Sequence, residues 1–168
     1  MLILLFCYAF VSNVALAVVP HEPVIVWYGA HSGIWVTAAV ATAGTLAASW
    51  VDHAIFAPFI WRLDWRRVAA GGLVPWLRAR FARAPFALIA LSGLTPLPFF
   101  PFKALAFAAR YPRGRYLAAV GAGRFPRYAA MAWLGHVIPV PSWALAAGFV
   151  LLIAPSAWRL LWKRPSES

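Results

Sequence analysis

Long apolar runs, each cut by proline, glycine or a cluster of arginines, set the pattern of this chain. Met1 to Val19 is apolar, with Ser12 and Asn13 as its only strongly polar residues, and predicts a first transmembrane helix over 1–19. Ala15-Leu16-Ala17 loosely matches a signal-peptide cleavage site, but no basic segment precedes the run, so a cleaved leader is the second reading. The missing basic flank is also what a start upstream of Met1 would give. Pro20-His21-Glu22-Pro23 ends the run, and the apolar stretch to Gly33 is too short to span, so 20–33 is predicted to re-enter. Ile34 to Ile60 is long enough to cross once, with Gly44 and Ala48 at the spacing of small residues that lets helices approach closely.

From Trp61 to Arg83 the pattern changes. Arginines at 62, 66, 67, 78, 80 and 83 alternate with Trp61, Trp65, Leu73, Trp76 and Phe81, as in a surface-lying amphipathic helix or a basic loop with aromatic anchors. Either form belongs on the cytoplasmic face. Residues 86–109 are apolar again but broken by Pro96, Pro98 and Pro101. Proline removes a backbone donor and clashes with the preceding turn. Broken backbone at membrane depth persists only where it is buried in protein or lines a wet cavity. This stretch is therefore predicted as a second re-entrant element. Tyr111 to Arg115 reads as a turn, Tyr116 to Gly135 and Val137 to Trp158 as helices, and 159–168 as a basic and polar cytoplasmic tail. Each half thus offers a Pro-punctuated, non-spanning element followed by a glycine-bearing helix. Inverted repeats with broken helices are a recurring transporter design. The predicted fold is all-α, a polytopic transmembrane bundle with two re-entrant hairpins in inverted-repeat arrangement.

Composition supports the membrane. The chain is 64% hydrophobic, against ~45–50% in an average soluble domain, and its mean hydropathy is +0.76. Fifteen Lys and Arg face four Asp and Glu. In a soluble protein that excess suggests nucleic acid. Here the cations lie between or inside apolar runs and no nucleic-acid motif occurs, so anionic headgroups and the positive-inside rule account for them. The lone Cys7 has no disulfide partner and reads as a small packing residue.

Two carboxylates, Glu22 and Asp52, sit inside apolar sequence, each beside a histidine, His21 and His53. An intramembrane carboxylate must be offset by a partner or a proton, which makes both candidates for a proton-exchanging site; the bland alternative is an interfacial charge that neutralises an arginine. Lys103, Arg124 and Arg127 are the embedded cations. Guanidinium forks onto phosphate oxygens through paired hydrogen bonds, so a phosphorylated lipid is the natural ligand, while pairing with Glu22 or Asp52 would leave the cations structural. Arg110, Arg113 and Arg115 read as topology determinants, and His31 and His136 as satisfied polar residues. No metal spacing, phosphate loop or nucleophile motif appears, so neither a metal, a cofactor nor an enzyme activity is expected.

Pro20-x-Glu22 before a short apolar element resembles the first half of the DedA/SNARE-associated Golgi protein (VTT-domain) family. The stretch Gly93-Leu-Thr-Pro-Leu-Pro-Phe-Phe-Pro-Phe-Lys103, then Tyr111-Pro112 and Gly123-Arg124-Phe-Pro-Arg127, resembles its second half. The resemblance covers about residues 20–148. It implies a polytopic protein of the bacterial inner membrane that moves phospholipid or polyprenyl-phosphate carriers between leaflets, with protons and a second copy of the chain as further candidate partners and no nucleic acid. It carries Glu22 onto the family's first acidic site and Asp52 onto its second. The bacterial branch has two arginines around its Pro-Gly turn where this chain has Thr95 and Lys103, which implies a divergent branch.

Overall fold

The computed structural model describes residues 1–14, 21–62, 79–95, 99–138, 141, 143 and 147, and the regular elements among them are helical. Helix α1, Leu2–Asn13, is shorter than the span expected over 1–19. Its end is chemical: Ser12 Oγ and Asn13 Nδ2 both donate back to the Ala9 carbonyl, and Val14 is extended. Twelve residues rise about 18 Å, less than the ~30 Å of a bilayer core. Helix α2, Glu22–Ser32, starts with Pro23 in its first turn, where a missing N–H costs nothing, and stops at Gly33, whose φ of 86° disfavours any side chain. Helix α3, Ile34–Arg62, begins at once and runs 29 residues. Among the described residues it is the one helix long and apolar enough to cross a membrane.

The same order then recurs. Helix α4, Pro85–Leu94, is short and apolar and ends where Thr95 Oγ1 donates to the Leu91 carbonyl. Helix α5, Phe100–Ala108, is short and led by Pro101 in its first turn. Its C-terminus closes as a Schellman motif, with Tyr111 N–H on the Ala106 carbonyl and Arg110 N–H on that of Phe107, and Arg110 takes the left-handed position at φ 51°. Helix α6, Arg113–Val137, is long and starts three residues before the helix expected from Tyr116, because Pro112 serves as its N-cap. The expected break over 86–109 thus lies between α4 and α5. Pro96 and Pro98, like Pro20 and most of the final helix expected over 137–158, lie outside the described residues. Of the amphipathic stretch 61–83, Trp61 and Arg62 belong to α3 and 79–83 is a helical turn whose Phe81 is buried.

Packing follows the two triplets. Within each, the short apolar helix lies on its own long helix, α1 on α3 and α4 on α6; across them, α2 lies on α6, α5 on α3, and α3 on α6. Glycine makes the close contacts. A Cβ on Gly44 of α3 would sit 2.6 Å from the Phe6 carbonyl oxygen of α1, and one on Gly123 of α6 would overlap the Ala90 carbonyl of α4. Two apolar clusters form. One gathers Leu5, Ile25, Tyr28, Ala38, Ala41, Tyr128 and Ala132; the other gathers Ala57, Phe81, Ile89, Phe107, Tyr116 and Val120. These pairings make α3 and α6 antiparallel. Along both helices the charged residues that are not exposed, Asp52 in α3 and Arg124 and Arg127 in α6, fall between the clusters. Cys7 is exposed, so the packing role expected of it does not hold.

Candidate functional site

The buried face of α3 carries Thr37, Thr45, Ser49 and Asp52 amid alanines, and α6 presents Arg124, Arg127 and Tyr128 to the same region. Burying such groups is costly unless each finds a partner. Asp52, fully buried, receives Lys103 Nζ of α5 at 2.6 Å. The same ammonium lies 3.5 Å from the carbonyl of Asn13, the last residue of α1. Glu22, at the first position of α2, receives Arg127 of α6 at 2.9 Å through Oε1, while its Oε2 accepts the His21 N–H at 3.1 Å. Arg127 also donates to the Thr95 carbonyl, just past the end of α4, at 2.8 Å.

The two arrangements are alike. In each, a cation joins a carboxylate of the other triplet to the carbonyl end of a short apolar helix. That end carries the negative pole of the helix dipole, so a cation is favoured there. The acids come from the first triplet and the bases from the second. Exposure separates the pairs: the Asp52 side chain is 0% and the Glu22 side chain 34% exposed.

Arg124 stands between them and differs from both. It is 5% exposed, and its Nε is buried without a hydrogen-bond partner among the described residues. The guanidinium carbon lies 5.2 Å from the Phe99 ring and 6.0 Å from that of Tyr128. It is near enough to Glu22, Lys103 and Arg127 to act on each electrostatically. With the histidines neutral, two carboxylates meet three cations, so the cluster carries one excess positive charge in a buried setting. Pro126, inside α6, has no N–H for the Ala122 carbonyl and loosens the helix between the two arginines.

Tyr128 lies one turn beyond Arg124 and is fully buried. Its hydroxyl is 2.9 Å from Thr45 Oγ1 of α3 and 3.1 Å from His21 Nε2, at the start of α2. The single proton of Thr45 is committed to the Ala41 carbonyl, 3.0 Å away. The Thr45 oxygen therefore accepts from Tyr128, and Tyr128 in turn accepts from His21 Nε2–H.

Glu22, Asp52, Lys103, Arg124 and Arg127, the residues singled out in the sequence, thus come together. Pro101 stands behind Lys103 in the first turn of α5. Sequence reasoning passed over Phe99, Thr45 and Tyr128, although Tyr128 sits at the i+4 spacing that puts a side chain on the face of Arg124. His31 is satisfied by the Trp27 carbonyl at 2.8 Å, and Arg110, Arg113 and Arg115 are exposed. Among the described residues no group of His, Cys, Asp and Glu has the makings of a metal site. Compared with family models, curated proteins and solved structures, the chain finds no match.

Proposed function

We propose that this chain is a multi-pass inner-membrane protein, a divergent relative of the DedA/SNARE-associated Golgi protein (VTT-domain) family, that moves an anionic phospholipid or lipid phosphate between leaflets. The observation that carries this reading is Arg124. A guanidinium buried against two aromatic rings, whose Nε has no hydrogen-bond partner and which makes no ion pair among the described residues, suits the role of an anion receptor. Planar, bidentate recognition of phosphate is what arginine does best. The apolar composition and the long helix α3 support a membrane as the source of that anion.

The paired charges suit movement. As the two triplets rock against each other, each cation exchanges partners without being left bare in a low-dielectric setting. In this view α1–α2 and α4–α5 are re-entrant hairpins, and the Glu22–Arg127 pair, whose carboxylate is one-third exposed, marks the side from which the site is reached. Glu22 takes up a proton when the anion draws Arg127 away. A scaffold whose hairpins only pack would also use two ion pairs, but it has no need of the third cation.

Leaflet-resolved flux in proteoliposomes tests the proposal. Wild type is expected to move a labelled phosphatidic acid or phosphatidylglycerol across the bilayer without changing it chemically, and Arg124→Gln to abolish that movement. Equal flux in wild type, Arg124→Gln and protein-free vesicles would favour the scaffold.

A further inference from the structure

We propose that Tyr128 is a positioning residue for Arg124, its ring fixed by tethers from two other helical elements so that the N–H edge of the guanidinium stays presented to an anion. The inference rests on the reading of Arg124 as an anion receptor and adds how that receptor is held. Arg124 makes no ion pair with a described residue, so the usual means of fixing a buried arginine is missing. What it has instead are the faces of Phe99 and Tyr128. A cation over an aromatic face is attracted by the ring quadrupole, more strongly when water is excluded. The contact leaves the N–H groups free, which a carboxylate would not.

The Tyr128 platform is immobilised from outside its own helix. His21 holds the hydroxyl from the start of α2, and Thr45 holds it from the middle of α3. His21 also meets the ring edge-on at a centroid distance of 5.4 Å. A hydroxyl at 0% exposure needs partners, and since both lie outside α6, satisfying it also fixes the ring. Thr45 spends its proton on Ala41, so the Tyr128 hydroxyl hydrogen has one well-defined acceptor and one orientation. Through His21 the platform also touches the residue whose backbone N–H binds Glu22, so ring, guanidinium and carboxylate share one framework.

The test uses the full chain in detergent micelles, titrated calorimetrically with a short-chain phosphatidic acid, with Tm measured on each ligand-free variant. Tyr128→Phe keeps the ring and cuts both tethers; binding is expected to weaken about threefold or more, and Tyr128→Leu, which also removes the ring, to weaken it about three- to thirtyfold. Thr45→Val releases the ring from α3 alone and should shift binding in the same direction as Tyr128→Phe, which keeps the test alive if a Tyr128 variant fails to fold. A double-mutant cycle separates positioning from plain packing. In an Arg124→Lys protein, whose ammonium has no planar edge to present, Tyr128→Phe should change Kd by less than about twofold. If the two losses multiply, Tyr128 acts on stability and not through Arg124, and the inference falls. Binding that requires Arg124 but is unchanged in Tyr128→Phe, Tyr128→Leu and Thr45→Val also overturns it while leaving the anion site intact. Wild-type protein that binds no phosphatidic acid sinks the anion-site reading and this inference together.

Discussion

A lysine with 4% of its surface exposed is stabilised by Asp52 and the Asn13 carbonyl, which receive its ammonium. Removing one partner of such a pair leaves an uncompensated buried charge, at about 3–5 kcal/mol. Asp52→Leu is therefore expected to lower the unfolding free energy by that amount in chemical denaturation, and Asp52→Leu with Lys103→Met to recover most of it. Recovery of the fold without recovery of lipid flux would show that the pair serves transport; recovery of both would make it structural. The Glu22–Arg127 pair belongs to another regime. Its carboxylate is one-third exposed, and solvent screening limits such a pair to about 1 kcal/mol or less. Glu22→Gln should change denaturant stability little while stopping flux, because the amide keeps the shape but exchanges no proton. Normal flux in Glu22→Gln would make Glu22 a latch and nothing more. The five charged residues were legible in the sequence because a charge inside an apolar run is expensive and must be satisfied nearby. Which acid pairs with which base was not legible, since both carboxylates were compatible with all three cations.

At the scale of elements, prolines and glycines told most. Pro101 in an apolar run announced a break and a restart, and α5 restarts with it in its first turn. The end of α1 was missed because Ser12 and Asn13 stop the helix through side-chain bonds to Ala9, which an apolar run does not reveal. The start of α6 was missed for a related reason: Tyr111-Pro112-Arg113-Gly114-Arg115 looks like a turn, yet proline at the N-cap is compatible with a helix immediately after it. Missing α1 as a short helix also hid how far the two halves correspond. Both long helices carry their contact glycine at the eleventh position, Gly44 in α3 and Gly123 in α6, each facing the short apolar helix of its own half. Gly123 bears on the proposed anion site because Arg124 follows it. Gly123→Val would drive a branched side chain into the Ala90 carbonyl of α4 and force the helices apart. Overpacking of this kind costs about 1–3 kcal/mol, so Tm should fall and phosphatidic acid binding should fall with it. Ala122→Val, one residue earlier at an exposed position, is the control and should alter neither. Equal behaviour of the two variants would mean that the α4–α6 contact does not set the place of Arg124.

At the scale of the whole molecule, the described residues form a bundle with one cationic end and one end without Lys or Arg. Arg62, Arg80, Arg83, Arg110, Arg113 and Arg115 are exposed around the end of α3 and the start of α6. Trp61 binds that end together: its Nε1 donates to the Phe107 carbonyl at 2.7 Å and its ring lies under Arg110 at 5.4 Å. Phe81, against Tyr111, brings the 79–83 turn to the same place. At the opposite end stand Trp35, at the start of α3, and His136, near the end of α6, with no Lys or Arg among the described residues there. Such an imbalance sets orientation in a membrane, because cationic segments resist translocation. Helix α3 rises about 43 Å and antiparallel α6 about 37 Å, each enough to cross a ~30 Å core. By composition α6 is not a candidate span, since Arg124 and Arg127 interrupt it. A long helix with buried arginines crosses only if its partners cover them: Glu22 of α2 receives Arg127, and the rings of Phe99 and Tyr128 lie against Arg124. Single cysteines at 35, 62, 115 and 136 in a Cys7→Ala background test this orientation with a membrane-impermeant thiol reagent. Positions 62 and 115 are expected to react only from the cytoplasmic side and positions 35 and 136 only from the other. Labelling of 115 and 136 from one side would show that α6 does not cross, and the charged cluster would then lie at the surface, with no anion carried through the bilayer.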